Sequence, residues 1–137
     1  MKNLITVSVI ILLTFISCSR FQTQEKKNIS KSSMEDFDSF YDKFHNDSLF
    51  QISRLKFPLE GGPDRGDINE EWTKENWHIL KTKIYDVDTT KYKVFYEKRE
   101  KSFTEKVWIE DSGFSFEYHF GLINNKWFLV SAVEMDN

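Results

Sequence analysis

Asp38, Tyr41 and His45 place an acid, a phenol and an imidazole close together in the chain. On a helix at 100° per residue they fall roughly 100°, 40° and 80° from Phe37, so they share one flank. An acid and a phenol in a dry pocket can move a proton beside a carbonyl. Glu117 and His119 form a second pairing. Two residues apart on a strand, they project from the same face and could work as a general acid and base. The simpler reading of both sets is a solvated polar flank with incidental neighbours. His78 has no partner defined by spacing.

Other chemistries find less support. His45, His78 and His119 lack the ligand spacing of a zinc site. Glu60, Asp64, Asp67, Glu70 and Glu71 crowd one loop without the calcium-loop pattern. No metal and no cofactor are expected. Gly61-Gly62 is not followed by the Gly-Lys-Ser/Thr of a phosphate loop. Arg65-Gly66-Asp67 matches an adhesion tripeptide that arises easily by chance. Trp72, Trp77 and Trp108 could stack on a sugar, but a small domain also uses such rings as core or lid.

The start of the chain gives an address. Met1-Lys2-Asn3 precedes an apolar run from Leu4 to Ile16, then Ser17 and the only cysteine, Cys18. A charged start, an apolar stretch and a small-residue cleavage site make a secretory signal over residues 1–17. A cysteine just after the cut is the bacterial lipoprotein signal, so Cys18 is read as the acylated first residue of the mature chain. The apolar run is too short to span a bilayer, which takes roughly 20 residues. Two or more acyl chains would anchor the protein stably. Residues 18–33 then read as the lipidated cysteine and a polar, lysine-rich tether. Without Lys2 the mature chain has 18 Lys+Arg against 22 Asp+Glu, a formal charge of −4. That balance argues against a nucleic-acid partner.

Residues 34–137 have room for one domain. Ser33 could cap a helix in which Phe37, Phe40, Tyr41 and Phe44 form one apolar stripe. A one-turn helix is expected from Ser48, with Gln51 completing a capping box. Leu55, Phe57 and Leu59 alternate as an edge strand limited by Pro58, and residues 60–71 read as a loop. Beyond it, strands are expected at Trp77–Val87, Lys91–Lys98, Phe103–Glu110, Gly113–Ile123 and Lys126–Glu134. Asn124-Asn125 fits a type I′ hairpin turn. That turn pairs Leu122 with Trp127, Phe120 with Leu129, Tyr118 with Ser131 and Phe116 with Val133, all on one apolar face. The opposite face keeps Phe128, Val130 and Ala132, a candidate contact surface.

This order of elements resembles the nuclear-transport-factor-two-like (cystatin-like) cone. Phe37-x-x-Phe40-x-x-x-Phe44, Phe50-Gln51-x-x-Arg54-x-x-Phe57-Pro58-Leu59 and Trp127-Phe128-Leu129-Val130 resemble phrases of a secreted Gram-negative lipoprotein family, domain of unknown function 4348. The likeness covers about residues 34–135. It implies the cone fold and transfers no catalytic residues.

The sequence therefore predicts an α+β domain in which one or two helices pack on a curved antiparallel sheet of about five or six strands. The expected role is a non-catalytic binding or interaction module, lipid-anchored at the periplasmic face or outer membrane. Its partner would be a protein or small molecule, with self-association through Phe128, Val130 and Ala132 as one form. The alternative is a small-molecule binder or enzyme with Asp38, Tyr41 and His119 in a cavity between helix and sheet. A third reading is a structural subunit of an envelope complex.

Overall fold

The computed structural model describes residues 33–64 and 70–136. The expected leader, Cys18, the tether as far as residue 32 and the Arg65-Gly66-Asp67 tripeptide lie outside the described residues.

Helix α1 spans Phe37–Asn46. Asp36, not Ser33, caps it, accepting from the Ser39 amide at 2.9 Å. The extended stretch before the cap is stitched to the far end of the chain. The Glu35 amide donates to the Asn125 carbonyl at 2.9 Å. The Glu35 carboxylate receives both Arg54 guanidinium nitrogens and the Trp127 amide. This forked pair is stronger than a single neutral bond.

Helix α2 spans Ser48–Ser53, capped by Asp47 through the Phe50 amide. Gln51 was expected in a capping box. It is instead fully buried, with 0% of its surface exposed. Its Nε2 donates to the carbonyls of Phe44 and Leu80, at 2.7 and 2.8 Å. Its Oε1 accepts from the Trp77 indole and the Leu80 amide, at 3.1 and 2.8 Å. All four hydrogen-bonding positions of the amide are filled.

The sheet comprises β1 (Leu55–Asp64), β2 (Lys93–Lys98), β3 (Ser102–Trp108), β4 (Ser115–Ile123) and β5 (Lys126–Met135). Their spatial order is β1-β5-β4-β3-β2. β1 is an edge strand, longer than expected, and pairs with β5 in parallel; the other pairs are antiparallel. Gly61, at φ +86°, lets β1 approach β5, where a Cβ would stand 2.3 Å from the Ala132 carbonyl oxygen.

Residues 77–87 do not form the expected strand. They run irregularly into a single 3-10 turn at Ile84–Asp86. Side chains from the helices satisfy this backbone in place of a neighbouring strand. Gln51 takes both polar groups of Leu80, and the Tyr41 hydroxyl accepts from the Ile84 amide at 3.0 Å.

The Asn124-Asn125 turn has φ of 50° and 63°, as type I′ requires. Leu122 faces Trp127 and Phe120 faces Leu129, as expected. The pairing then slips: His119 faces Ser131, Tyr118 faces Ala132 and Phe116 faces Glu134. Val130 is the extra residue, a β-bulge. One inserted residue turns the rest of β5 over, so Ala132 enters the core with 0% exposure and Val133 reaches solvent.

The α1 stripe packs on the inner face of the sheet. Phe37 lies 4.6 Å from Phe103 and 4.9 Å from Trp127 between ring centroids, and Phe44 lies 5.3 Å from Phe120. Each buried ring contributes roughly 1.5–3 kcal/mol, and edge-on pairs add about 0.5–1.5.

Candidate functional site

The inner face of the sheet is apolar except for one seam. β3 points Phe103, Glu105 and Val107 inward, and Glu105 is only 2% exposed. Tyr41 on α1 donates its hydroxyl proton to Glu105. Burial pushes the Glu105 carboxyl up to about 7, although the Tyr41 bond works the other way. The Tyr41 phenol is raised far above its ordinary range by burial and then by the Glu105 charge.

Glu105 stands opposite Tyr118 on β4. Tyr118 in turn donates to Glu134 on β5. Burial, then the charge of Glu134, raises the Tyr118 phenol. The bulge at Val130 creates this second pair, because without it Glu134 would face outward. His78 Nε2 lies 3.1 Å from the same Glu134 oxygen, within ion-pairing distance.

Tyr118, Glu134 and His78 border a cleft of about 480 Å³. Residues 78–82 form one wall, and Phe114, Phe116 and Met135 help form the other. Trp72 and Trp77 are buried as a lid beside it, which excludes both from an exposed sugar-stacking surface. Their rings lie 5.1 Å apart, and Trp77 stacks on His78 at 5.5 Å. The Trp72 indole donates to the Ala132 carbonyl at 2.7 Å. Gln51 holds Leu80 and therefore the wall. An apolar cleft with a few convergent polar groups is the usual form of a small-ligand site.

The polar groups expected to share one cavity are separated. Tyr41 is buried among rings. Asp38 is exposed on α1 and pairs with Lys98 at 2.7 Å. His119 lies on the opposite face of the sheet, beside Thr104 at 2.9 Å. It does meet Glu117, at 2.8 Å. Burial pushes the Glu117 carboxyl up, but bonds from Lys106 and His119 outweigh it and hold the group below its ordinary value. His45 is buried, and its Nδ1 donates to the Tyr41 carbonyl at 2.9 Å. Burial lowers its pKa, disfavouring the charged ring.

The contact surface read from the sequence divides in the same way. Phe128 is half-buried beneath the Arg54 guanidinium, 5.4 Å from its ring centroid. Val130 is half-buried at the bulge. Ala132 belongs to the core because the bulge reverses its face.

Glu105, Glu134, Tyr118 and His78 were missed as site residues. The alternation Phe103-x-Glu105-x-Val107 puts an acid at an inward strand position, a legible signal for the first. Glu134 is visible only once the bulge is known.

Two helices on an open, five-stranded mixed sheet define an α+β domain of cystatin-like class. Three solved structures share the architecture. A cystatin-like protein from Bacteroides caccae is 26% identical, with a TM-score of 0.57, over 74% of this chain and 76% of its own. A protein from Bacteroides uniformis is 24% identical, with a TM-score of 0.56, over 74% and 77%. An NTF2-like protein from Bacteroides fragilis is 19% identical, with a TM-score of 0.52, over 75% of this chain and 48% of its own. No curated protein sequence matches. A family model matches residues 35–135. The chain belongs to that family, an uncharacterised Bacteroides family whose phrases its sequence resembles.

Proposed function

We propose that the protein is an envelope lipoprotein, held at the periplasmic face or outer membrane through acylated Cys18, and that its domain is a non-catalytic binding module. The cleft between residues 78–82 and the ends of β4 and β5 is its binding site. One observation carries this reading: the cleft joins apolar walls to the Tyr118–Glu134–His78 cluster, the accessible end of an otherwise sealed seam. A ligand with an apolar body and one polar group fits such a surface.

The alternative placed an enzyme or small-molecule site between α1 and the sheet. That layer is packed with Phe37, Phe40, Phe44, Phe103 and Phe120, and Tyr41 and Glu105 are spent on each other. The cleft is the better site.

Two measurements test the proposal. Metabolic labelling with an alkyne fatty acid should mark the wild-type chain and not Cys18→Ser; label on both would remove the anchor. Small aromatic amines and carboxylates titrated into isotope-labelled protein should shift amide signals at residues 78–82, 114–118 and 134–136. Shifts scattered elsewhere, or none at millimolar probe, would remove the cleft.

A further inference from the structure

β2 ends the sheet, and no described strand pairs with its outer side. The direction of its free groups follows from the register. The Arg99 amide donates to the Ser102 carbonyl directly opposite, at 2.8 Å. Opposed pairs alternate in an antiparallel ladder, so Lys93, Phe95 and Glu97 direct their backbone groups toward β3. Val94, Tyr96 and Lys98 direct theirs away from the sheet. Two large rings stand on this open edge, Phe95 at 49% and Tyr96 at 50% exposure. An edge of this kind is a template for another strand.

The sequence of the edge selects its partner. A second β2 can pair by two-fold symmetry only with a residue at the centre, because a centre between residues would oppose an inward amide to an outward one. A centre at Tyr96 sets Lys93 against Arg99, two like charges. A centre at Val94 sets Lys93 against Phe95 and leaves Glu97 facing Lys91, outside the strand. A centre at Phe95 sets Lys93 against Glu97 twice, Phe95 against Phe95 and Val94 against Tyr96 twice, and brings the like charges of Lys91 and Arg99 opposite each other only beyond the ends of the strand. Both Lys–Glu pairs and the Phe pair then lie on the outer face, at the closer, non-hydrogen-bonded spacing.

We infer that the protein self-associates through antiparallel β2–β2 pairing centred on Phe95, which joins two five-stranded sheets into one of ten. Four central backbone hydrogen bonds, from Val94 and Tyr96 of each copy, hold the seam. The cleft lies beyond β4 and β5 and stays open in each copy, so this assembly is independent of the ligand reading.

The test uses the full chain in density-matched detergent. Sedimentation equilibrium should give a dimer. Glu97→Lys sets lysine against lysine and should weaken association at least tenfold. Lys93→Glu with Glu97→Lys in one chain rebuilds the pairing with its signs exchanged and should restore the dimer. Both positions are exposed, so circular dichroism should report an intact fold. Phe95→Cys should oxidise to a covalent dimer beyond the level seen in wild type, because opposed strand residues meet disulfide spacing. Glu97→Cys should not, since its copies lie about 13 Å apart along the strand. A monomeric wild-type chain, a Glu97→Lys dimer of unchanged affinity, or equal crosslinking at both cysteines would overturn the pairing.

Discussion

Tyr41–Glu105 and Tyr118–Glu134 are the same chemical pair in two settings. In each, a phenol on the inner side of the sheet donates to a carboxylate. The first is closed over by α1 and the 3-10 turn, with Glu105 near total burial. The second opens on the cleft, where His78 also lies against Glu134 at 3.1 Å. The difference separates a latch from a candidate site. A sealed acid can only hold the helix to the sheet, at the cost of desolvation. An acid of the same type at the rim can exchange one of its partners for a ligand group.

The largest effect should come from what keeps the second pair open. Gln51→Leu fills nearly the same volume but leaves both polar groups of Leu80, the Phe44 carbonyl and the Trp77 indole without this partner. Each buried group left unpaired costs roughly 1–3 kcal/mol. Partial access to water through a loosened wall should limit the loss to about 4 kcal/mol. Urea unfolding measures it. A loss below about 1 kcal/mol would mean that residues 77–80 hold their place without Gln51.

The second effect concerns the sealed acid alone. Its folded pKa of about 7 lies above its ordinary 4.5. Between those values the native state binds more protons than the unfolded chain. Stability therefore falls as pH rises from about 4.5 to about 7, then levels. The span corresponds to roughly 3 kcal/mol. Buried His45 acts in the opposite sense, because its lowered pKa withdraws stability as pH falls below its ordinary value of 6.5. Glu105→Gln keeps an acceptor for Tyr41 and removes only the acid. The variant should match wild type near pH 4 and exceed it by up to about 3 kcal/mol at pH 8. Equal pH profiles from thermal or urea melts would show that Glu105 is solvated.

The sequence shows some of this and hides the rest, for physical reasons. The α1 stripe, the Asn124-Asn125 turn and the edge position of β1 follow from local periodicity and turn chemistry, which are properties of neighbouring residues. The irregular course of residues 77–87 does not, because its backbone is satisfied by Gln51 and Tyr41, far away in the chain. The bulge at Val130 is hidden for a related reason. Alternation fixes a face only while the count of residues on both strands agrees, and one extra residue moves Glu134 from solvent to the seam. The sealed pair was half visible, through Tyr41. The open pair depended on the bulge and could not be read.

The smallest effect is the most direct comparison of the two pairs. Tyr41→Phe strands a buried carboxyl and the Ile84 amide together, with α1 blocking water. It should cost about 2 kcal/mol, at the level of a hydrogen bond to a buried ionisable group. Tyr118→Phe removes the same hydroxyl from Glu134, which keeps His78 and can draw water from the cleft. It should cost about 1 kcal/mol or less. The two variants differ from wild type by the same single atom, so the gap between them measures enclosure together with the Ile84 amide that Tyr41 alone serves. Urea melts at one pH give that gap. Equal losses would place both acids in the same environment and remove the distinction between latch and site. A larger loss at Tyr118 would reverse it, making the cleft the sealed end of the seam.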